Sequence, residues 1–327
     1  AMLLFIGLPI FSSLFQSLHI ETAQILIEVE TCDPFGCEME MQVDQEATSK
    51  LRDEKPMGKF NGLGTYKDRN HLGFSELGEA WEQKTSFTNF ISTLLNLPFY
   101  KSLLFTLTFC FTVTPFVIVL GFFVALSLNV LSKSIKGPLI FGSILPMIVT
   151  PLIGSLVLFW MIDAQGILGA TLQYIFDDPN LSLKSSKNLT WMMLIIYGIW
   201  HNTPFAFIVF YAGLQTVPQD PIEAAIIDGA SRSQRVRFIV LPHLYPVATF
   251  IALICLMDNF RVLEPILGFS AEGVAQSLSW MIYQDLRNET QMLFGSAGAT
   301  SMLTIIGVGI LLTPVLIRTW KEFRTER

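Results

Sequence analysis

The stretch LQTVPQDPIEAAIIDGASRSQRVRFIVLPHLYPV, residues 214–247, is polar and proline-rich, yet it lies between two long apolar segments. Pro218 and Pro221 stop the preceding helix and favour the start of a new one. Glu223 then falls in the first turn of that helix, where the helix dipole favours an acidic side chain. Gly229 can adopt the left-handed conformation in which helices often end. The stretch therefore predicts a short helix that is set apart from its apolar neighbours.

The predicted helix carries a flat face of small side chains. Ala224 and Ala225 form that face, and Asp228 and Gly229 close the helix. A second helical stretch with three arginines and a Leu-Pro pair then leads back to the next apolar segment. A face without bulky side chains can pack closely into a groove of another protein. We therefore expect residues of about 215–243 to form a docking loop.

The rest of the chain is unusually apolar. Of its 327 residues, 51% are hydrophobic and 15% are charged, whereas about 25% are charged in ordinary soluble domains. A helix needs about 20 apolar residues to cross a bilayer, and six stretches approach or reach that length. They predict an all-α integral membrane protein with six transmembrane helices, near residues 2–18, 103–131, 139–162, 189–214, 245–267 and 294–320. The first stretch could instead be a signal peptide, but it lacks a basic start and an A-x-A cleavage site.

Lysine and arginine in the short loops predict the orientation of these helices. The loops after spans two and four and the C-terminal tail carry most of them. All three regions lie on one side of a six-span arrangement, and basic short loops face the cytoplasm. We therefore expect a multi-pass protein of the cell inner membrane with its C-terminus in the cytoplasm. The basic residues on that side are Lys133, Lys136, Arg232, Arg235, Arg237, Arg318, Lys321, Arg324 and Arg327.

The predicted domain organisation has three parts. Residues 1–18 form the first transmembrane helix, residues 19–101 an extracytoplasmic loop, and residues 102–327 the core transmembrane domain. The long loop holds fourteen acidic and eight basic residues, so it accounts for the whole net charge of −6. This acidity suits either a solvated loop or a contact surface for an external partner.

Two of the four cysteines lie in that external loop. Cys32 and Cys37 flank a short segment that contains Pro34, which favours a tight turn. An oxidising exterior allows them to form a disulfide. A metal site is less favoured, because no second pair of Cys or His accompanies them. Cys110 and Cys255 fall inside predicted spans and are expected to be small packing residues.

The docking loop resembles the EAA loop of permeases of binding-protein-dependent ABC importers. Glu223, Ala224 and Ala225 supply its first part, Gly229 follows after three residues, and residues 239–242 supply the closing Ile-x-Leu-Pro. This resemblance implies the fold of a type I importer permease. It also implies that a partner ATPase is contacted by Glu223, Ala224, Ala225, Asp228 and Gly229.

Further segments are similar to the carbohydrate branch of that family, whose members import maltose and glycerol phosphate. Residues 60–63 with Tyr66 resemble a motif that precedes span two, and residues 212–215 resemble the end of the span before the loop. The sequence departs from the pattern at Thr65, where Asn is usual, and at residues 268–273, where Gly-Gly-Pro is common. The resemblance implies a small solute of the carbohydrate class, and these departures bear on the solute rather than on the family.

The resemblance also implies a set of partners. They are a dimer of ABC ATPases that binds Mg-ATP, a second permease subunit that forms a heterodimer with this chain, an extracytoplasmic solute-binding protein, and the lipid bilayer. The sequence itself has no G-x-x-x-x-G-K-[ST], H-E-x-x-H, nucleophile elbow or metal-spaced cluster. We therefore expect no enzymatic activity, cofactor, metal or nucleic-acid partner for this chain.

Two alternatives remain open from the sequence. Importers of polyamines, inorganic anions or amino acids share the loop but usually lack the motif near residues 60–66. An ion-coupled secondary carrier would often show inverted repeats with broken helices, and no such symmetry is visible in the sequence.

Four polar residues lie within the predicted fifth span, although ionisable groups there cost about 2.5–3.5 kcal/mol each on insertion scales. The spacing of Asp258, Arg261 and Glu264 predicts that they share one helix face. They could form a self-neutralised ladder against neighbouring helices, or a polar stripe along the solute path. The resemblance to maltose-type permeases implies that Asp258 and Asn259 contact the solute.

The fourth span adds further polar candidates. Gly198 and Asn202 match pocket positions of the same family and lie one turn apart. We expect His201, beside them, to be a hydrogen-bonded packing residue. Amide and carboxylate oxygens suit a sugar because they accept protons from its hydroxyl groups. The candidate substrate site therefore consists of Gly198, Asn202, Asp258, Asn259, Arg261 and Glu264.

Overall fold

The computed structural model describes residues 2–22, 24–33, 36–55, 58–82, 87–178, 181–184, 186–288 and 292–325. The chain divides into two compact units. The first unit consists of Ala1–Ser102 with Leu278–Arg327, and the second consists of Leu103–Ser277.

The secondary structure is mainly helical. In the first hundred residues the elements are α1 (Met2–Ser17), β1 (His19–Ile20), β2 (Leu26–Asp33), β3 (Gly36–Val43), α2 (Gln45–Glu54), β4 (Lys59–Phe60), α3 (Gly64–Lys67), α4 (Phe74–Glu82) and α5 (Phe87–Asn96). They are followed by α6 (Pro98–Val130), α7 (Lys133–Ile148), α8 (Pro151–Met161), α9 (Ile167–Phe176), α10 (Lys187–Leu214), α11 (Gln219–Ile227), α12 (Arg232–Arg235), a π-helical turn (Val236–Val240), α13 (Leu241–Phe260), α14 (Glu264–Gly268), α15 (Leu278–Leu286) and α16 (Phe294–Thr325).

Long apolar helices confirm the all-α membrane fold. Within the described residues, four helical runs are long and apolar enough to cross a bilayer: Pro98–Val130, Lys187–Leu214, Arg232–Phe260 and Phe294–Thr313. A bent pair, α7 with α8, would supply a fifth span. Helix α1 has 16 residues with Pro9 inside it, which is shorter than the roughly 20 that a perpendicular span needs. The count of six spans therefore stays a prediction.

The predicted third span, residues 139–162, is not one straight helix. It breaks between α7 and α8, whose axes differ in direction by 94°. Thr150 adopts extended backbone angles, φ −60° and ψ 142°, immediately before Pro151. Proline disfavours the helical conformation in the residue that precedes it, and it is well tolerated at the start of a helix. The Thr-Pro step therefore ends one helix and starts the next.

The predicted fifth span, residues 245–267, also ends earlier than expected. Helix α13 stops at Phe260, and Glu264 opens the separate helix α14. The prediction that Asp258, Arg261 and Glu264 share one helix face is therefore wrong. The reason lies in Pro265, the second residue of α14, because a proline there removes a backbone donor and clashes with a continuous helix.

Close approach of helices forms the core of the second unit. A methyl group added at Gly121 of α6 would lie 2.6 Å from the Cβ atom of Ala206 in α10. Only a glycine permits this separation, so the two helices pack almost backbone to backbone. Large side chains that are almost fully buried belong to the core of this unit, among them Phe105, Val113, Tyr197, Phe207, Phe210, Leu244, Ile251 and Ile266.

The long loop in the first unit is more ordered than a simple solvated loop. Strands β2 and β3 pair as an antiparallel hairpin, β1 pairs with β4, and α2 follows the hairpin. The hairpin register places Cys32 opposite Cys37. The side chains of both cysteines lie outside the described part of the chain, so the disulfide stays a prediction.

A closed polar cluster joins this loop to α16 within the first unit. His71 is 1% exposed, and its Nε2 atom lies 3.2 Å from both the Thr300 hydroxyl and the Ser296 carbonyl oxygen. The Ser296 hydroxyl donates to the Asp285 carboxylate at 2.7 Å. Burial raises the pKa of Asp285 above its usual value, although the bond from Ser296 partly offsets that effect. Among the described residues, no three His, Cys, Asp or Glu side chains could together hold a metal ion.

Candidate functional site

A cavity of about 450 Å³ in the second unit is lined by α6, α10, the first residue of α8 and the segment that joins α13 to α14. All six residues of the candidate substrate site line it, although they come from three helices and a loop. The polar and glycine residues of this polar cavity are Tyr197, Gly198, His201, Asn202, Asp258, Asn259, Arg261 and Glu264. The structure therefore brings together residues that are up to 66 positions apart in the chain.

Asn259 ties together the helices around the cavity. Its side chain is almost fully buried at 2% exposure, and its Nδ2 atom donates to the Thr114 hydroxyl at 3.0 Å. Its Oδ1 atom accepts from Asn202 at 3.3 Å. Asn202 in turn donates to the carbonyl oxygen of Gly198 at 2.9 Å. Much of the hydrogen-bonding capacity of both amides is therefore used within the protein, and the chain of bonds fixes their positions at the cavity wall.

Gly198 is required by packing as well as by its place in the cavity. A Cβ atom at this position would lie 2.7 Å from the Cζ atom of Phe109 and 3.3 Å from a methyl group of Val113. Both contacts belong to α6, so the glycine allows α10 to approach that helix closely. A larger residue at position 198 would displace a cavity wall rather than simply narrow the cavity.

The charged residues of the cavity lie beside one another but do not form a ladder. The Arg261 guanidinium donates to the Asp258 carboxylate at 2.7 Å, with 70% and 46% of the two side chains exposed. Glu264, on α14, is also exposed. In the part of the chain that the structure describes, Glu264 forms no ion pair.

Tyr197 and His201 line the cavity although neither belongs to the candidate substrate site. The Tyr197 hydroxyl donates to the carbonyl oxygen of Pro151 at 2.8 Å, next to the break between α7 and α8. Its ring stacks on His201, with centroids 5.7 Å apart and planes inclined by 15°. The Nδ1 atom of His201 has no hydrogen-bond partner among the described residues. The ring also bonds to the backbone of Pro146, so His201 is a hydrogen-bonded packing residue, as expected, that lines the cavity as well. Its spacing from Asn202 and Gly198 on one helix could have indicated this place.

The predicted docking loop lies within residues 214–247, the coupling segment. The short helix predicted for it is α11. The helix starts at Gln219, so Asp220 occupies its first turn and Glu223 lies one turn later than predicted. Its C-terminus closes with two backbone bonds, from Gly229 to Ile226 and from Ala230 to Ala225. This pair of bonds is the Schellman arrangement, which requires a left-handed residue at its centre.

Gly229 supplies that left-handed residue, as the sequence predicts, with φ +79°. No atom would lie within 4 Å of a Cβ added there, so backbone conformation alone selects glycine.

The outer surface of α11 is accessible. Glu223, Ala224 and Asp228 are exposed, and Ala225 is half-buried. Ile227, at the end of the helix, is 86% exposed, and Ile226 is 52% exposed. Adjacent apolar side chains beside small residues form a surface that another protein can cover.

These features define the class of protein. Long apolar helices enclose a polar cavity, and a separate short helix is exposed on a loop between two of them, so the chain is a multi-pass membrane transport component. Residues 90–325 match the family model described as the binding-protein-dependent transport system inner membrane component. The chain belongs to this family.

The names of individual relatives agree with the resemblance to the carbohydrate branch. The chain is 29% identical over 224 residues to the trehalose/maltose transport system permease protein MalF of Thermococcus litoralis, covering 67% of this chain and 74% of that protein. It is 29% identical over 170 residues to the sn-glycerol-3-phosphate transport system permease protein UgpA of Agrobacterium fabrum, covering 50% of this chain and 56% of that protein.

A solved structure supports the same fold. It is the crystal structure of a bacterial ABC transporter involved in the import of the acidic polysaccharide alginate. One of its chains aligns with a TM-score of 0.58 at 19% identity, and the alignment covers 84% of this chain and 96% of that one. At this identity the likeness concerns the fold alone, and the fold is that of an importer permease.

Proposed function

We propose that this chain is the permease subunit of an ATP-driven importer and that it passes a sugar or a sugar-like solute across the membrane. The observation that carries the proposal is the convergence of six residues, chosen from the sequence, on one polar cavity. Asparagine amides and carboxylates at its wall offer both donors and acceptors to hydroxyl groups. The names of the relatives, which include permeases for trehalose/maltose and for starch degradation products, favour the same solute class.

The energy for transport comes from partner subunits in this proposal. A dimer of ABC ATPases binds Mg-ATP in the cytoplasm, and α11 of the coupling segment docks on it. Glu223, Ala224, Ala225, Asp228 and Gly229 make that contact. A second permease subunit completes the membrane-spanning bundle, and closure of the ATPase dimer rocks the two permeases around the cavity. An external solute-binding protein delivers the solute.

This mechanism requires one orientation of the chain. The coupling segment and the C-terminus face the cytoplasm, and residues 19–101 face outside. The basic residues of the coupling segment and of the loop after α6 support that orientation.

The names of the relatives leave part of the solute class open. They include a neutral disaccharide and an anionic glycerol phosphate. A permease for polyamines, inorganic anions or amino acids is the second candidate, because such proteins share the coupling loop. An ion-coupled secondary carrier is less well supported, because it would need no exposed docking helix.

The test is uptake by the complete importer in vesicles. The chain is purified with its partner subunits and its solute-binding protein, the solute that the binding protein carries is identified by mass spectrometry, and the importer is reconstituted. We expect uptake of that solute to require ATP and the binding protein, and we expect the solute to be a sugar or polyol. Uptake that is driven by an ion gradient without ATP would contradict the proposal. ATP-dependent uptake of a polyamine or an amino acid would support the assignment as an importer but contradict the sugar class of its solute.

A further inference from the structure

The polar cavity carries more negative than positive charge within the part of the chain that the structure describes. Two carboxylates, Asp258 and Glu264, and one guanidinium, Arg261, line it. Asp258 and Arg261 neutralise each other through their 2.7 Å ion pair. Glu264 is outside that pair, so the cavity retains one uncompensated carboxylate.

The remaining wall offers little to compensate that charge. Beside Tyr197, whose hydroxyl donates to Pro151, and His201, which carries no fixed charge, the wall consists largely of apolar side chains, namely Phe109, Pro151, Val262, Leu263 and Pro265. Donors that could stabilise an anion are largely used within the protein, because Asn202 donates both amide hydrogens, to Gly198 and Asn259, and Asn259 donates one of its two to Thr114. A fixed charge acts over a longer distance beside apolar walls than in open water, because the local dielectric constant is lower.

We propose that Glu264 sets the charge preference of this cavity, so that the cavity admits neutral or positively charged hydroxylated solutes and disfavours anionic ones. The inference rests on the proposed function, because it specifies the solute of the same cavity. It also divides the solutes named for the relatives and for the solved structure, because it favours a neutral disaccharide over a glycerol phosphate or an acidic polysaccharide.

The local potential can be measured without any transport. Leu263, beside Glu264 on the cavity wall, is replaced by cysteine, and the purified complex is treated with a cationic or an anionic methanethiosulfonate reagent of similar size. Modification of the peptide that contains residue 263 is followed by mass spectrometry, so that other thiols do not contribute. The ratio of the cationic to the anionic rate, relative to the same ratio for a free thiol in solution, then reports the potential in the cavity.

Opposite shifts are expected for two charge changes. In the Leu263→Cys background, Glu264→Gln should lower the ratio about fivefold, which corresponds to roughly 1 kcal/mol of potential energy. Arg261→Gln removes the positive charge and should raise the ratio. Glu272→Gln is the matched control, because it removes a carboxylate that lies shortly after α14 and outside the cavity lining. It should leave the ratio unchanged.

The proposal is overturned if Glu264→Gln leaves the ratio unchanged, or if the parent variant reacts with the anionic reagent as readily as a free thiol does. A lack of ATP-dependent uptake would count against the proposed function alone, because thiol modification requires no transport.

Discussion

The coupling segment turns its small and acidic side chains outward, whereas the polar cavity ties its amides to one another across helices. Glu223 and Ala224 are exposed on α11, while Asn259 is almost fully buried between Thr114 and Asn202. The first arrangement suits a surface that exchanges partners, and the second suits a wall that must keep its shape when a solute binds. The difference predicts that substitutions in the coupling segment impair transport without affecting stability, whereas substitutions of the buried amide in the cavity wall affect both.

The largest effect is expected for Gly229→Val. A β-branched residue in the left-handed conformation is strained by about 1–2 kcal/mol or more, so the Schellman closure of α11 should be lost. We expect ATP-driven uptake to fall at least tenfold, while the protein still inserts and keeps its thermal stability in the membrane domain.

The measurement for this variant is uptake in vesicles beside a protease-accessibility assay of insertion. Gly137→Val is the matched control, because Gly137 is exposed, has no atom within 4 Å of an added Cβ and lacks a positive φ. Equal uptake by the two variants would show that the left-handed turn is not needed for coupling.

A smaller effect on uptake, together with a loss of stability, is expected for Asn259→Leu. The substitution leaves the Thr114 hydroxyl without its donor and one amide hydrogen of Asn202 without its acceptor, which costs about 1–3 kcal/mol for each buried group. We expect lower thermal stability and a higher KM for uptake.

Thr114→Val separates these two effects. This substitution breaks the hydrogen bond between Asn259 and Thr114. Because Thr114 is outside the cavity lining, it should reduce stability with little change in KM. If Asn259→Leu and Thr114→Val shift KM equally, then Asn259 acts through packing and does not contact the solute.

The closed polar cluster of His71, Asp285, Ser296 and Thr300 differs from the cavity because all four of its side chains are buried or half-buried. Burial raises the pKa of Asp285, so its proton is held more tightly in the folded state than in the unfolded state. The neutral form is therefore favoured by folding, and stability from this group is lost as the pH rises through the folded-state pKa. Asp285→Asn should raise the thermal stability more at pH 8 than at pH 4 and leave uptake unchanged. A greater gain at pH 4 would mean that the carboxylate is stabilised in the folded protein.

The smallest effect on stability is expected for Asp258→Asn. Its partner Arg261 is 70% exposed, and exposed ion pairs contribute only about 0–1 kcal/mol. Thermal unfolding of the purified complex should therefore change little. A loss of several kcal/mol would show that the pair is shielded by the partner permease, and the cavity would then be less open than it is in this chain alone.

Local sequence was sufficient to predict the coupling segment and most long helices. Proline, alanine and glycine at fixed spacing act on their own neighbours, and the left-handed Gly229 follows from that pattern. The start of α11 was misplaced, because Pro218 caps the helix from outside, so that Glu223 falls beyond the first turn.

Breaks in helices were harder to predict from an apolar pattern. The interruption at Thr150 occurs within a hydrophobic run, and the one at Arg261–Leu263 follows an apolar stretch that ends in polar residues. In both cases the proline that follows gives the local signal. The contacts of the cavity depend on residues far apart in the chain, such as Thr114, Asn202 and Asn259. Family resemblance pointed to Gly198, Asn202, Asp258 and Asn259, which all line the cavity, but it could not show that the two amides bond to each other.

The most direct test of the central claim compares uptake with ATP hydrolysis in the same vesicles for Glu223→Lys. The charge reversal lies on the exposed face of α11, so it should impair docking of the ATPase or separate hydrolysis from uptake. Glu79→Lys, an identical change at an exposed position of α4, is the control. We predict that Glu223→Lys loses at least tenfold in solute transported per ATP hydrolysed, or fails to co-purify with the ATPase, while Glu79→Lys behaves like the wild type. Normal uptake, normal hydrolysis and normal co-purification in Glu223→Lys would contradict the assignment of α11 as the contact through which ATP drives this permease.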